Sequence, residues 1–385
     1  MDKTHIFEKI ILNNKVEVPS HLAIAPLTLF SSNPDGTIND GEREYLKLRA
    51  TNIGLYILGA QVVSQEGITA INFPGTFCEK DIPSIKERAE IVKSQGALAI
   101  NQIHHGGALA LKQFSGMIPV VPSKEIAVEE AKKRGADTDM HELTDKEINE
   151  IIEKFAHATE LSIKSGYDGV EIHGANNFLI QQFYSPHTNK RNDDWGGSDE
   201  KRMNFALKIV DAVCKVREKM NCPKFIIGYR LSPEEPYEDG ITMTETLKLV
   251  KALVQKPLQY IHISQKDYFK KARRGEGKGV ERLKLIHDIT KDKVALIGVG
   301  GLRSENIYDA EKTGFSEFIA VGIASMLNPD FAILLKEGKG DKINLVLDPQ
   351  HPEKYKIPNH LWEMCLEGQD WLPPIKGKTY RITED

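Results

Sequence analysis

Amides, imidazoles and one guanidinium stand where short apolar runs of this sequence come to an end. The run 97–103 carries Gln102 and leads into His104-His105, and the run 169–172 leads into His173-Gly174-Ala175-Asn176. Residues 225–231 end on Tyr229-Arg230-Leu231, residues 22–27 pass through Pro26 to Thr28, and residues 55–63 contain Gly59-Ala60-Gln61. Two further runs, 294–299 and 318–321, are followed by Gly300-Gly301 and by Gly322. Taken singly, each has a plain explanation: an ion-paired arginine, a histidine satisfied by backbone, glycines in tight turns. Taken together they supply what a polar aromatic cofactor with a phosphate needs. An amide offers donor and acceptor at one edge, a fixed cation faces developing negative charge, and glycine backbone cradles a phosphate. His173 and Asn176, three apart on the turn leaving a strand, can point the same way as a pair of donors.

Those residues need a frame that brings strand ends together. Eight apolar runs recur, the seven above and residues 260–264, each reading as a strand buried on both faces. Amphipathic stretches separate them. Residues 144–165 open with Thr144-x-x-Glu147, a capping-box pattern, and close before Gly166; residues 199–219 place Ala206, Ile209, Val210 and Val213 at helical spacing. Helical patterns follow at 244–254, 280–290, 304–313 and 329–336. Alternating strands and helices predict either a closed barrel or a doubly wound sheet. The count of eight, and Ala25-Pro26-Leu27-Thr28 where a GxGxxG turn would follow the first strand, favour a (β/α)8 TIM barrel over residues 1–340. Residues 341–385, with Trp362, Trp371 and Tyr380, read as a C-terminal extension. It is expected to pack on the barrel or on another subunit of a homo-oligomer, its two tryptophans serving as packing residues.

Composition narrows the function. The 385 residues carry a formal charge of −4, with one short basic cluster at 270–274, so neither nucleic acid nor an acidic membrane surface is an expected partner. No apolar run approaches the ~20 residues of a membrane span, and the charged N-terminus does not read as a signal peptide. Cys78, Cys214, Cys222 and Cys365 show no CxxC pairing, so no metal or iron–sulfur site is expected. A cytoplasmic enzyme with reduced thiols, working on a small molecule, is the expectation.

The segment Val170-Glu171-Ile172-His173-Gly174-Ala175-Asn176-Asn177-Phe178-Leu179, continuing through Asn189-x-Arg191-x-Asp193-x-Trp195-Gly196-Gly197, resembles the Old Yellow Enzyme family, and the likeness extends over roughly residues 5–335. The resemblance implies bound FMN, hydride taken from NADH or NADPH, and transfer to a small electrophilic acceptor such as an α,β-unsaturated carbonyl or a quinone. It implies that Pro26, Thr28, Ala60, Gln102 and Arg230 contact the flavin ring, that Gly300, Gly301 and Gly322 form the phosphate loops, and that His173 and Asn176 hold the acceptor oxygen. Thr28 would tune the redox potential.

Three positions depart from the family pattern. Phe178 stands where a tyrosine usually donates a proton to the substrate α-carbon, which points to a quinone or flavin reductase with little alkene reduction. Ile323 replaces a phosphate-binding arginine, for which Arg303 is a candidate substitute. Ala108 stands where an arginine is usual. The loop 265–274 reads either as a solvated basic loop or as a cover over the flavin, with Tyr268 as a substitute acid. A non-redox barrel that binds a phosphorylated ligand is the alternative of another class; the absence of a strand-end lysine argues against an aldolase.

Overall fold

The computed structural model describes residues 5–133, 135–369 and 371–378; Tyr380 lies outside them. Eight strands, β1 (Leu22–Ile24), β2 (Leu55–Val62), β3 (Leu98–His104), β4 (Gly169–Gly174), β5 (Ile226–Leu231), β6 (Tyr260–Ile263), β7 (Ala295–Val299) and β8 (Phe318–Val321), close into one barrel in sequence order. All pairings are parallel, and Ile319 opposite Leu22 closes the ring. The eight apolar runs are these eight strands. The first stops short of its run: Ala25 N–H still donates to Val321 O, but Pro26 has no N–H, so the ladder ends there.

The principal helices are α1 (Asp40–Leu46), α2 (Ile82–Lys93), α3 (Asp145–Lys164), α4 (Asp199–Lys219), α5 (Met243–Leu253), α6 (Arg282–Thr290), α7 (Ile307–Thr313) and α8 (Phe331–Lys336). Thr144 caps α3 with the reciprocal Glu147 contact that its spacing predicts, and Ser198 caps α4. α6 begins two residues later than its pattern because Val280 is held in the preceding loop, its C=O accepting from Ala272 N–H.

Alternation along the strands divides the barrel core into its two main clusters. Side chains such as Ile103, Val170, Ile172, Tyr229 and Ile261 pack outward against the helices. Ile100, Ile226, Tyr260, Ile297 and Phe318 fill the barrel floor, together with Leu12 and Val18 from an N-terminal two-stranded ribbon, Ile10–Ile11 with Glu17–Val18. Among the described residues, no helix is long and apolar enough to cross a membrane.

The described part of the segment after residue 340 returns to the barrel. Leu347, Tyr355, Leu361, Cys365, Leu372 and Ile375 join the outer core. Arg49 anchors it: its guanidinium donates to Ser325 O at 3.0 Å, to Met326 O at 3.1 Å and to Tyr355 O, and lies over the Tyr45 ring. Trp362 stacks on Tyr355, whereas Trp371 is half-exposed with its ring 6.0 Å from Phe30.

One strand glycine is fixed by packing. A Cβ at Gly228 would lie 2.1 Å from the Tyr260 ring, which crosses the barrel over it. Gly228→Ala is expected to cost ~1–3 kcal/mol by forcing that ring aside, read as a lower urea midpoint; an unchanged midpoint would show that the ring moves freely.

Candidate active site

The barrel floor is apolar, and the layers above it on β3 to β6 are not. Every second residue faces inward, so Ile100, Gln102 and His104 rise along β3, and Gly169, Glu171 and His173 along β4. Beside them Ile226, Gly228 and Arg230 rise along β5, and Tyr260 and His262 along β6. Register sets Gln102 beside Glu171, and places His173, Arg230 and His262 in one row. This brings three of the residues singled out in the sequence to adjacent strand ends.

Burial controls the charges. His173 is buried, and burial, with Arg230, His104 and His262 nearby, holds its pKa well below the ordinary imidazole value. Its Nδ1 accepts from Ala175 N–H at 3.3 Å, so the neutral ring carries its proton on Nε2. Asn176 is exposed, in the left-handed region with φ 57°. Its Oδ1 accepts from Ser264 Oγ at 2.8 Å, leaving the Nδ2 end as donor. Arg230 is buried with its Nε unpaired among the described residues; burial lowers its pKa, and Glu171 opposes the shift.

On the other side of the mouth, Thr28 and Ala60, with Leu27 and Gly59, border a cavity that runs back between the first two strands and the helices, where Glu42, Tyr45 and Arg88 line it. Gly59 admits the close approach, since a Cβ there would lie 2.1 Å from Leu27 O. Pro26 is half-buried where β1 ends. Gly300 and Gly301 take φ of 131° and 59°; a Cβ at Gly300 would lie 2.6 Å from Asp267 N, whereas Gly322 has nothing within 4 Å of where a Cβ would stand. Ile323 is exposed beside it, and so is Arg303 after Gly301.

Phe178 is half-buried, its ring edge-on to His104 at 4.5 Å and to His173 at 4.9 Å. His104 is fully buried with both ring nitrogens unpaired among the described residues, and burial, with His105 adjacent, pulls its pKa down to about 3.

Two readings of the loop 265–274 are corrected. Tyr268 is buried with its hydroxyl 2.9 Å from Ser316 Oγ, outside the strand ring, so it cannot supply an acid to the mouth. Nor is the loop simply solvated. Glu234 accepts from the backbone N–H groups of Arg273 and Arg274 and from the Arg282 guanidinium, while Arg274 donates to the carbonyls of Glu235 and Glu238. Its cations are tied to its own neighbours.

The second half of the segment that carries the family likeness, residues 189–197, is largely a buttress. Asn189 Nδ2 donates to Phe183 O and Trp195 O, Arg191 holds Pro122 O and Leu143 O, and Trp195 Nε1 donates to Asp145. Together these fix the loop that follows the turn carrying His173, Asn176 and Phe178. Sequence reasoning passed over two inward groups, Glu171 and His262, although the signal was present: each is a polar residue at an inward position of an otherwise apolar strand.

The profile of the NADH:flavin oxidoreductase / NADH oxidase family matches residues 5–342. A Bacillus subtilis protein named as a probable NADH-dependent flavin oxidoreductase is 38% identical over 96% of this chain and 97% of its own. An NADH:fumarate oxidoreductase of Klebsiella pneumoniae is 34% identical over 94% of this chain, which spans 39% of that longer protein. The structure of an Old Yellow Enzyme homologue from Zymomonas mobilis superposes with a TM-score of 0.75 at 22% identity, covering 92% of this chain and 99% of that one, a likeness of fold.

The depressed imidazoles give a pH expectation. An unfolded histidine takes up a proton near its ordinary value of about 6.5, whereas His104 and His173 resist it when folded. The unfolded chain therefore binds more protons, and the two residues make folding less favourable as pH falls below that value. Imidazole 15N NMR should show His173 neutral and Nε2-protonated from about pH 8 down to about pH 5; a charged ring at the acid end would contradict the burial argument.

Proposed function

The chain belongs to the NADH:flavin oxidoreductase / NADH oxidase family, and we propose that the mouth of its barrel, between the ends of β1 to β5 and the glycines after β7 and β8, is where flavin and acceptor meet. The protein is an NAD(P)H-dependent flavin oxidoreductase. The residues fit FMN: buried Arg230 with its Nε unpaired among the described residues, the Gln102 amide one layer below it on β3, and glycine backbone after β7 and β8. Held there, FMN would supply hydride transfer from NADH or NADPH to an activated acceptor, an α,β-unsaturated carbonyl, a quinone or a similar electrophile.

In this reading the chain's own residues divide the work. Arg230 keeps a positive charge beside the ring, where negative charge arrives with reduction, and Gln102 reads the pyrimidine edge. Thr28 and Pro26 meet the ring from β1, and Ala60 from β2. Gly300, Gly301 and Gly322 offer backbone to the phosphate, with Arg303 supplying the cation that Ile323 does not. His173 Nε2–H and Asn176 Nδ2–H donate to the acceptor oxygen, and a neutral imidazole suits that task because it polarises the carbonyl without giving up its proton. The row of His173 beside Arg230 is the observation that carries the assignment: it sets oxyanion donors next to a flavin cation on adjacent strands. The purified protein should be yellow and should bleach under NADH or NADPH without oxygen. A colourless protein that takes up no added FMN would sink this reading in favour of a phosphate-ligand barrel.

Phe178 decides which acceptors are fast. Protonating a carbon needs a positioned acid, typically worth ~10²–10⁴-fold; Phe178 has none to give, and Tyr268 is out of reach. Quinones need no carbon protonation. Reoxidation by quinones should therefore outrun reoxidation by cyclic enones, and Phe178→Tyr should raise the enone rate while leaving reduction by NADH nearly unchanged. Rapid mixing of the two half-reactions separates them; wild-type enone rates equal to quinone rates would refute it.

A further inference from the structure

One ionised group inside the barrel has no part in the reading above. Glu171 lies on β4 two residues before His173, with no exposed surface. Its Oε1 accepts from Gln102 Nε2 at 2.6 Å and its Oε2 from His262 Nδ1 at 2.9 Å. Charged and titratable groups face it from the neighbouring strands: Arg230 from β5, and Tyr260 and His262 from β6. Burial alone would drive such a carboxyl to take up a proton. His262, Arg230 and the Gln102 amide together hold its pKa below the ordinary carboxylate value instead, so it stays charged.

We propose that Glu171 is the positioning residue for the pyrimidine side of the flavin, acting through Gln102, Arg230 and His262; the inference rests on the flavin reading above. An ionised carboxylate only accepts, so Gln102 must turn its NH2 toward Glu171, and its carbonyl oxygen becomes the acceptor for a ring N–H. The reverse orientation would set two oxygens against each other. His262 must donate from Nδ1, which makes its Nε2, buried and unpaired among the described residues, an acceptor. Glu171 also offsets Arg230, so the ring feels a cation partly balanced from below instead of a bare one. Orientation and charge are thus set by one residue that need not touch the cofactor.

The two effects leave different traces in Glu171→Gln. Losing the charge-assisted clamp should raise the FMN dissociation constant about tenfold or more, as loss of a hydrogen bond to a charged group does. Losing the negative charge should raise the two-electron midpoint potential, because Arg230 then favours reduction unopposed. Arg230→Ala should move the potential the other way, and Glu171→Asp should return it toward wild type while FMN binding stays weak. These constants come from FMN titration of the stripped protein and from dye-referenced photoreduction of the holoenzyme. An unchanged or lowered potential in Glu171→Gln, with wild-type FMN affinity, would overturn the proposal. Should that variant fail to fold, His262→Leu, which carries no donor, removes one arm of the clamp, and since burial keeps the ring neutral the net charge is unchanged: weakened FMN binding supports the proposal, and wild-type affinity overturns it. A wild-type protein that binds no FMN would sink the flavin reading and this inference together, an outcome distinct from a variant that merely matches wild type.

Discussion

An eight-stranded barrel has no empty lumen: every second residue of each strand must fill it, and strand register decides which side chains share a layer. Everything at the mouth of this protein follows from that constraint. The lowest inward layer is apolar, with Ile100, Ile226, Ile297 and Phe318, and it closes the barrel floor. One and two steps higher, the same period of two delivers Gln102 with Glu171, then His173 with Arg230 and His262. A slip of one residue in β4 or β5 would turn these groups into the helix layer and put Val170, Ile172 and Tyr229 inside. The outward packing of those residues against the helices therefore holds the chemistry in place.

Much of this was legible in the sequence. Strand existence came from near-continuous apolar runs, the start of α3 from its capping box and α4 from its helical spacing, because those signals are local. Strand length at β1 was not, since it depends on Pro26 interrupting a ladder whose other strand lies almost a whole chain away. The site residues at strand ends could be named because a barrel gathers strand ends. Glu171 and His262 were missed for the opposite reason: they lie within runs, and a run read only for hydrophobicity hides the polar residue at its inward position. Tyr268 misled because its place after β6 suggests the mouth, whereas a Cβ at Gly298 would meet its ring, which lies behind the strands.

The second half of the segment that marks the family, residues 189–197, is not the part that touches chemistry. Asn189, Arg191 and Trp195 use their polar atoms on backbone carbonyls and on Asp145, and so fix a turn rather than a ligand. Position 178, where the family usually carries a hydroxyl, holds a plain ring edge-on to His104 and His173, apart from those contacts.

The Arg49 anchor has a bearing on how the chain comes to its shape. Arg49 lies between β1 and β2, yet two of its acceptors, Ser325 and Met326, come just after β8, and a third, Tyr355, lies further on. The ring itself closes only when Ile319 meets Leu22. During synthesis the first strands must wait, unpaired on one edge and with a buried-to-be guanidinium in water, until nearly the whole chain has emerged. Long-range closure of this kind is slow and leaves apolar edges exposed meanwhile. Ribosome-bound fragments that end before β8 are thus the species most in need of a chaperone, and Arg49 acts as the latch that the late-arriving end must reach.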